Sequence, residues 1–525
     1  MTGTLALLRH FLRRDRWMIL AWSAGITLLY WSQAVSVGGL YATQEELDRA
    51  AAAMDGNAAF VAMAGPARAL DTVGGQVAWQ ATAFGAICAG LMSMFLVVRH
   101  TRAEEESGRD ELLRAAAVGR AAPTAATLVV AVTANVLTGA LVAASLVAFP
   151  LAVADSVALG VGLAAVGLVF AAVALLAAQL TSGPRAAYGL TGAVIGAAFV
   201  LRAIGDVGSP ALTWLSPIGW YQAMHAFSGL RWWPLLLLAA AGAVTVVAAV
   251  WAFDHRDHGA GVLADRPGPT RAGPRLGTPL GLAWRLQRGT LAAWGLGLLL
   301  TGMAYGSLGS DVGDVLGDSA ATEEILARGS ADLVDGFYAT SILMLGLMAC
   351  GYAVSTALRP RHDEATGVVE VLLATGLSRR RWLVAQTVLT VVGSAVVVTA
   401  AGVGLGVGYA LTTGDSAATG TYLVASLPYL APVLVMSALA RLLFGLRPRL
   451  ASLAWLALLF AVVVMLFGEL LRMPEWLQDL SPFHHLALVP AEDFRWGPFL
   501  ALLVVAGALS AAGHLLFGRR DVEVR

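Results

Sequence analysis

Two sets of charged residues recur at the same spacing in this chain. Arg102, Glu105, Gly108, Glu111, Leu113, Ala115 and Arg120 reappear 259 residues later as Arg361, Glu364, Gly367, Glu370, Leu372, Ala374 and Arg379. Glu105 with Arg109, and Asp110 with Arg114, stand four residues apart, the spacing of ion pairs on an exposed helix. Leu112, Leu113 and Ala116 form an apolar strip, kept in the second copy as Val371, Leu372, Leu373 and Thr375. The pattern predicts a short amphipathic helix in each copy, with its acidic residues offered to a soluble partner. Gly108 and Gly367 allow a bend or a close backbone approach. The chemistry expected is recognition and not bond making. No Cys or His cluster has metal-ligand spacing, and no Asp, His or Arg cluster has the spacing of a membrane enzyme acting on lipid-linked substrates.

The elements that position these cassettes are membrane helices. Of the 525 residues 58% are hydrophobic and 13% charged, with a mean hydropathy of +0.73, whereas a soluble domain carries roughly a quarter charged residues. Apolar segments of spanning length lie near 17–38, 79–99, 124–152, 156–180, 186–204 and 232–253, and again near 289–309, 337–358, 383–412, 421–443, 451–471 and 497–517. The fold class is therefore an all-α integral membrane protein of about twelve helices in two six-helix halves, with interfacial and coupling helices. All 34 basic residues are arginine, the usage of a GC-rich genome. Only Arg49, Arg68, Arg202, Arg231, Arg328, Arg472 and Arg495 fall outside if both termini are cytoplasmic, which fixes the expected orientation. The first residues do not read as a cleavable signal peptide, since Arg9, Arg13, Arg14 and Arg16 follow the first leucines.

The halves repeat in parallel order. Ala21-Trp22 matches Ala293-Trp294, Leu215-Ser216-Pro217 matches Leu480-Ser481-Pro482, and Arg231-Trp232 resembles Arg495-Trp496. A symmetry axis along the membrane normal is expected for such repeats. The expected boundaries are 1–253, a flexible Gly/Pro-rich cytoplasmic linker at 254–283, and 284–525. Ahead of each half's first span lies an amphipathic piece (Leu5, Leu8 and Leu12 opposite Arg9, Arg13 and Arg16; then Leu280, Trp284 and Leu286 with Arg285 and Arg288), expected to lie along the inner interface.

The cassette resembles the first cytoplasmic loop of ABC-2 type exporter permeases, which carries Glu-x-x-Gly-x-x-Glu-x-Leu-Leu followed by a small turn and Arg. The second copy, DEATGVVEVLLATGLSR at 363–379, is the nearer match; the first has Ala117-Val118-Gly119-Arg120 where the family often has Pro-x-Ser-Arg. With the two-half layout, the whole chain is similar to the fused actinobacterial multidrug and polyketide-antibiotic (tetronasin-type) export permeases. The resemblance implies that each cassette is a coupling helix. By position, Arg102, Glu105, Gly108, Glu111, Arg120, Arg361, Glu364, Gly367, Glu370 and Arg379 would dock on ATP-binding subunits, two copies being expected. ATP and Mg would be bound by that partner, because a phosphate-binding Walker loop needs a lysine that this chain lacks. The chain itself is expected to be a non-enzymatic permease of the bacterial plasma membrane, without metal or nucleic acid.

The near absence of ionisable residues within the spans points to an external energy source and a hydrophobic small-molecule substrate. Met92, Met94, Met344 and Met348 fall in corresponding helices and are the candidate path residues. Arg202 and Arg472 read as snorkelling ends, and Cys88 and Cys350 as packing residues. The alternative is a major-facilitator-type secondary drug transporter, also twelve helices in two parallel halves. That family's short Gly-x-x-x-Asp-Arg loop and buried charges are missing here.

Overall fold

The computed structural model describes residues 2–40, 43–54, 58–109, 111, 115–257, 259–263, 270–308, 333–468 and 473–521. It is helical throughout, with no strand among the described residues. Two compact units emerge, Met1–Gly268 and Pro269–Arg525.

The first unit holds α1 (Thr4–Leu40), α2 (Val73–His100), α3 (Ala122–Ala148), α4 (Val153–Leu180), α5 (Pro184–Val207) and α6 (Pro234–Asp254). The second holds α7 (Pro279–Gly306), α8 (Leu333–Ala357), α9 (Arg379–Thr413), α10 (Ala418–Leu446, with a 3-10 turn at Leu427–Tyr429), α11 (Leu453–Phe467) and α12 (Trp496–Arg519). Ten of these helices are long and apolar enough to cross a membrane. The other two expected spans exist as α7, 28 residues, and α11, 15 residues. Several starts are written in the sequence. Thr72, Thr278 and Ser378 cap α2, α7 and α9 by accepting from the backbone N–H three residues on, each cap contributing about 1 kcal/mol.

The same helix pairs pack in both units. α1 lies on α2 and α3, and α7 on α8 and α9. α4 gathers α2, α3 and α6, and α10 likewise gathers α8, α9 and α12. Where the pairs come closest, glycine removes the side chain. A Cβ at Gly404 would lie 2.1 Å from the Leu299 carbonyl, and one at Gly302 2.3 Å from that of Ala401. Gly306 and Gly408 repeat the arrangement one turn further along, so α7 and α9 meet backbone to backbone, a small-xxx-small crossing. In the first unit Gly139 of α3 and Gly160 of α4 face each other in the same way.

Two expectations change here. The amphipathic starts are not separate interfacial helices: α1 is one helix of 37 residues and α7 begins at Pro279, because nothing breaks the helix before either span. Leu7 and Phe11 are buried with Leu96, Ala122 and Ala126, and Leu8 and Leu12 pack against that cluster, so part of this face meets protein, while Leu5 stays 60% exposed. The expected linker is also partly tied down. Val262 and Leu263 donate backbone hydrogen bonds to the carbonyls of Gln179 and Leu180, at 3.1 and 3.0 Å. Residues 310–332, including Asp311, Asp314, Glu323, Glu324 and Arg328, lie outside the described residues, as do Glu469 and Arg472.

Candidate functional site

Each cassette folds as an elbow. After α2 the chain re-enters a short helix, Arg102–Glu106, and Gly108 then adopts φ +71°. After α8 come Arg359–Ala365, Gly367 at φ +74°, and Val368–Ala374. A Cβ at either glycine would meet nothing within 4 Å. The left-handed backbone, and not lack of space, therefore demands glycine, and the helix expected of each copy bends at that glycine. Asp110, Leu112, Leu113 and Arg114 lie outside the described residues.

The elbow separates the candidate residues into two sets. Before the glycine they turn inward. The side chain of Glu105 is 9% exposed, and Arg102, 1% exposed, donates to its Oε2 at 2.8 Å. Arg256, just beyond α6, binds the same carboxylate with both terminal nitrogens and donates to Gln179 Oε1 at 2.7 Å. Arg102 also donates to the carbonyls of Ala178 and Ala260, the latter at 2.7 Å. Neighbouring Glu104 is paired with Arg14 of α1 and lies 3.8 Å from Arg109. The helix-face pair expected between Glu105 and Arg109 is thus replaced by longer-range pairs.

The second unit repeats the device. Glu364, with 3% of its side chain exposed, receives both terminal nitrogens of Arg520, at 2.7 and 2.6 Å. Arg520 follows α12 and lies over the rings of Phe444 and Phe517, 4.8 and 5.0 Å from their centroids. Arg379, closing the cassette, donates to the Arg520 carbonyl at 2.8 Å, and Arg120 to the Phe253 carbonyl at 3.4 Å. In both units, then, the sixth helix ends in an arginine that clamps the first cassette glutamate. Buried charges are tolerated because each is paired and hydrogen-bonded. The signal lay in the sequence unused: Phe253-x-x-Arg256-Asp257 recurs as Phe517-x-x-Arg520-Asp521.

Beyond the glycine the second set turns outward. Glu111 and Glu370 are exposed, as are Val368 and Val371, the latter by 70%. Arg361 is partly exposed. The methionines divide as well. Met92 is fully buried among Phe11, Leu96 and Ala126, and Met94 lies in a cluster with Val97 and Leu175. Met344 packs against the second core, and Met348 is 43% exposed. Arg202 does not snorkel. It is wholly buried, 3.5 Å from Asp206, and donates to the Met63 carbonyl at 2.9 Å.

The family model described as multidrug efflux system permease Rv1217c, C-terminal domain, matches the chain twice, over residues 2–254 and 276–518. The duplication therefore has support independent of the motif and of the packing. The multidrug efflux system permease protein Rv1217c of Mycobacterium tuberculosis (strain ATCC 25618 / H37Rv) is 42% identical over 531 residues, covering 99% of this chain and 96% of its own length. With ten spanning-length helices and its duplicated permease domain, the chain belongs to the Rv1217c family of multidrug efflux system permeases and is a multi-pass membrane protein.

Proposed function

We propose that this permease is the membrane subunit of an ATP-driven exporter of hydrophobic drugs or antibiotics, energised by separate ATP-binding subunits that dock on the two elbows. Both termini and both elbows face the cytoplasm in this reading. The observation that carries it is the repeated elbow, anchored on one side by a buried Glu–Arg clamp and presenting an exposed carboxylate, Glu111 or Glu370, on the other. Such a part is fixed to the transmembrane bundle yet open to a partner. Glu111 and Glu370 make the contact; Glu105 and Glu364 hold the elbow in place; Gly108 and Gly367 set its angle. ATP and Mg belong to the partner, one subunit for each elbow.

The test is ATPase activity of the candidate subunit reconstituted in liposomes with this chain. Glu111→Arg and Glu370→Arg together should leave the permease folded and abolish drug-stimulated hydrolysis. Drug transport driven by a proton gradient without ATP would overturn the reading.

A further inference from the structure

α2 carries its cassette at the C-terminal end. Its N-terminal end, 28 residues and roughly 42 Å away at about 1.5 Å per residue, borders a half-enclosed cavity of about 230 Å³. Arg68, Trp79, Asp206, Trp214, Gln222 and His225 line it. The backbone here is unusual. Among the described residues, the non-glycine residues with positive φ are Ala69 at +49°, His225 at +53° and Phe227 at +62°. All three belong to this corner: His225 lines the cavity, Ala69 follows Arg68, and Phe227 packs on Gly74, where a Cβ would lie 2.4 Å from its ring. Such conformations cost about 1–3 kcal/mol each and persist where the surroundings over-determine them, most often at ligand sites. Here the backbone N–H of Phe227 is held by Asp155 Oδ1 at 2.7 Å.

The polar groups define what would fit. Gln222 Nε2 donates to the Ala64 carbonyl at 2.7 Å, which leaves its buried Oε1 with no hydrogen-bond partner. Asp206 is already held by Arg202 and by Thr213, whose hydroxyl donates at 2.8 Å. Burial, with Arg68 and Arg231 nearby, pushes His225 down to about 4, so it is neutral at physiological pH. The cationic group facing the cavity is the Arg68 guanidinium, whose charge is shared with nearby Asp206, and Trp79 and Trp214 supply the apolar walls.

We propose that this cavity binds the head of an amphipathic organic anion, with an acidic group on Arg68, a hydroxyl donating to Gln222 Oε1 and an apolar body against Trp79 and Trp214. The inference rests on the efflux reading for the class of molecule carried, and it names where such molecules are held at the end of the bundle away from the cassettes. An exported amphiphile and an anionic lipid share this chemistry.

The test is equilibrium binding, which needs no ATP and so fails or succeeds apart from the coupling model. The full chain is reconstituted in zwitterionic nanodiscs and titrated with a brominated fatty acid, reading the saturable quenching of tryptophan fluorescence. The saturable component should fall in Trp214→Phe, leaving the part that comes from Trp79. Arg68→Gln should raise Kd at least tenfold with an unchanged melting curve, and Arg68→Lys should recover part of the affinity. A brominated alkylamine of equal length should bind wild type no better than it binds Arg68→Gln. Competition by phosphatidylglycerol would support the site and identify lipid as its occupant. Carboxylate binding indifferent to that lipid would support it with the free amphiphile as occupant. Wild-type affinity in Arg68→Gln, or saturable quenching undiminished in Trp214→Phe, would overturn the proposal.

Discussion

Replacing Arg520 with Gln isolates the clamp. The substitution leaves Glu364, 3% exposed, without the cation that meets it through two hydrogen bonds of 2.7 and 2.6 Å. Removing one partner of a buried ion pair costs about 3–5 kcal/mol. The Gln amide returns about 1 kcal/mol through one neutral hydrogen bond, and loss of the guanidinium over Phe444 and Phe517 removes about 0.5–1 kcal/mol. The net expectation is a destabilisation of about 3 kcal/mol in SDS or thermal unfolding of the reconstituted protein. Glu364→Gln made together with Arg520→Gln removes both charges, so the double-mutant cycle should show a coupling of about 2 kcal/mol. Glu370→Gln, on the exposed side of the same elbow, should stay within about 0.5 kcal/mol of wild type. In the first unit Arg256→Gln removes the corresponding cation from Glu105, which Arg102 also meets, and should destabilise in the same assay. If Arg520→Gln matches the Glu370→Gln control, or the cycle shows no coupling, the clamp does not anchor the elbow.

Gly404→Ala places a Cβ 2.1 Å from the Leu299 carbonyl and should destabilise by at least about 2 kcal/mol. Gly297→Ala, where a Cβ meets nothing within 4 Å, should be neutral or stabilise by up to about 1 kcal/mol; the same unfolding assay reads both. Gly367→Val forces a β-branched residue to φ +74° and should straighten the elbow, seen as faster amide exchange over Val368–Ala374 at a cost of about 1–3 kcal/mol. The pKa of His225 falls from 6.5 to about 4 on folding, through burial and then Arg68 and Arg231. Its neutral form is therefore the one compatible with the fold: the stabilisation is complete above pH 6.5 and is lost as the pH falls toward 4. A melting series from pH 7.5 to 4 should show this decline, and His225→Gln should flatten it.

The membrane helices were legible because a spanning helix must be a run of about 20 apolar residues, and the duplication because Arg102–Arg120 and Arg361–Arg379 keep their spacing. The clamp was not legible from local pattern. Its partners are 151 and 156 residues apart, while Arg109, four residues from Glu105, offered a plausible nearer partner. The same local view set Leu8 and Leu12 against lipid, since an amphipathic face does not name what it faces. The glycine crossing could have been read from Gly302-x-x-x-Gly306 and Gly404-x-x-x-Gly408. The cavity at the N-terminal end of α2 could not, because nothing in the residue types of Ala69, His225 or Phe227 announces positive φ.

The contact between α7 and α9 has a mechanical consequence. At Gly302, Gly306, Gly404 and Gly408 the two backbones touch with no side-chain layer between them to shear, and nearer the elbow Gln287 and Gln386 join the helices through a buried 2.6 Å hydrogen bond. Two helices tied at both places resist sliding past one another. α9 begins at Arg379, where the second elbow ends, and runs 35 residues, roughly 52 Å at about 1.5 Å per residue. A small tilt applied at the elbow therefore becomes a larger sweep at the opposite tip, since displacement grows with distance from the pivot. The glycines that look like mere packing economy thus set the length of a lever arm.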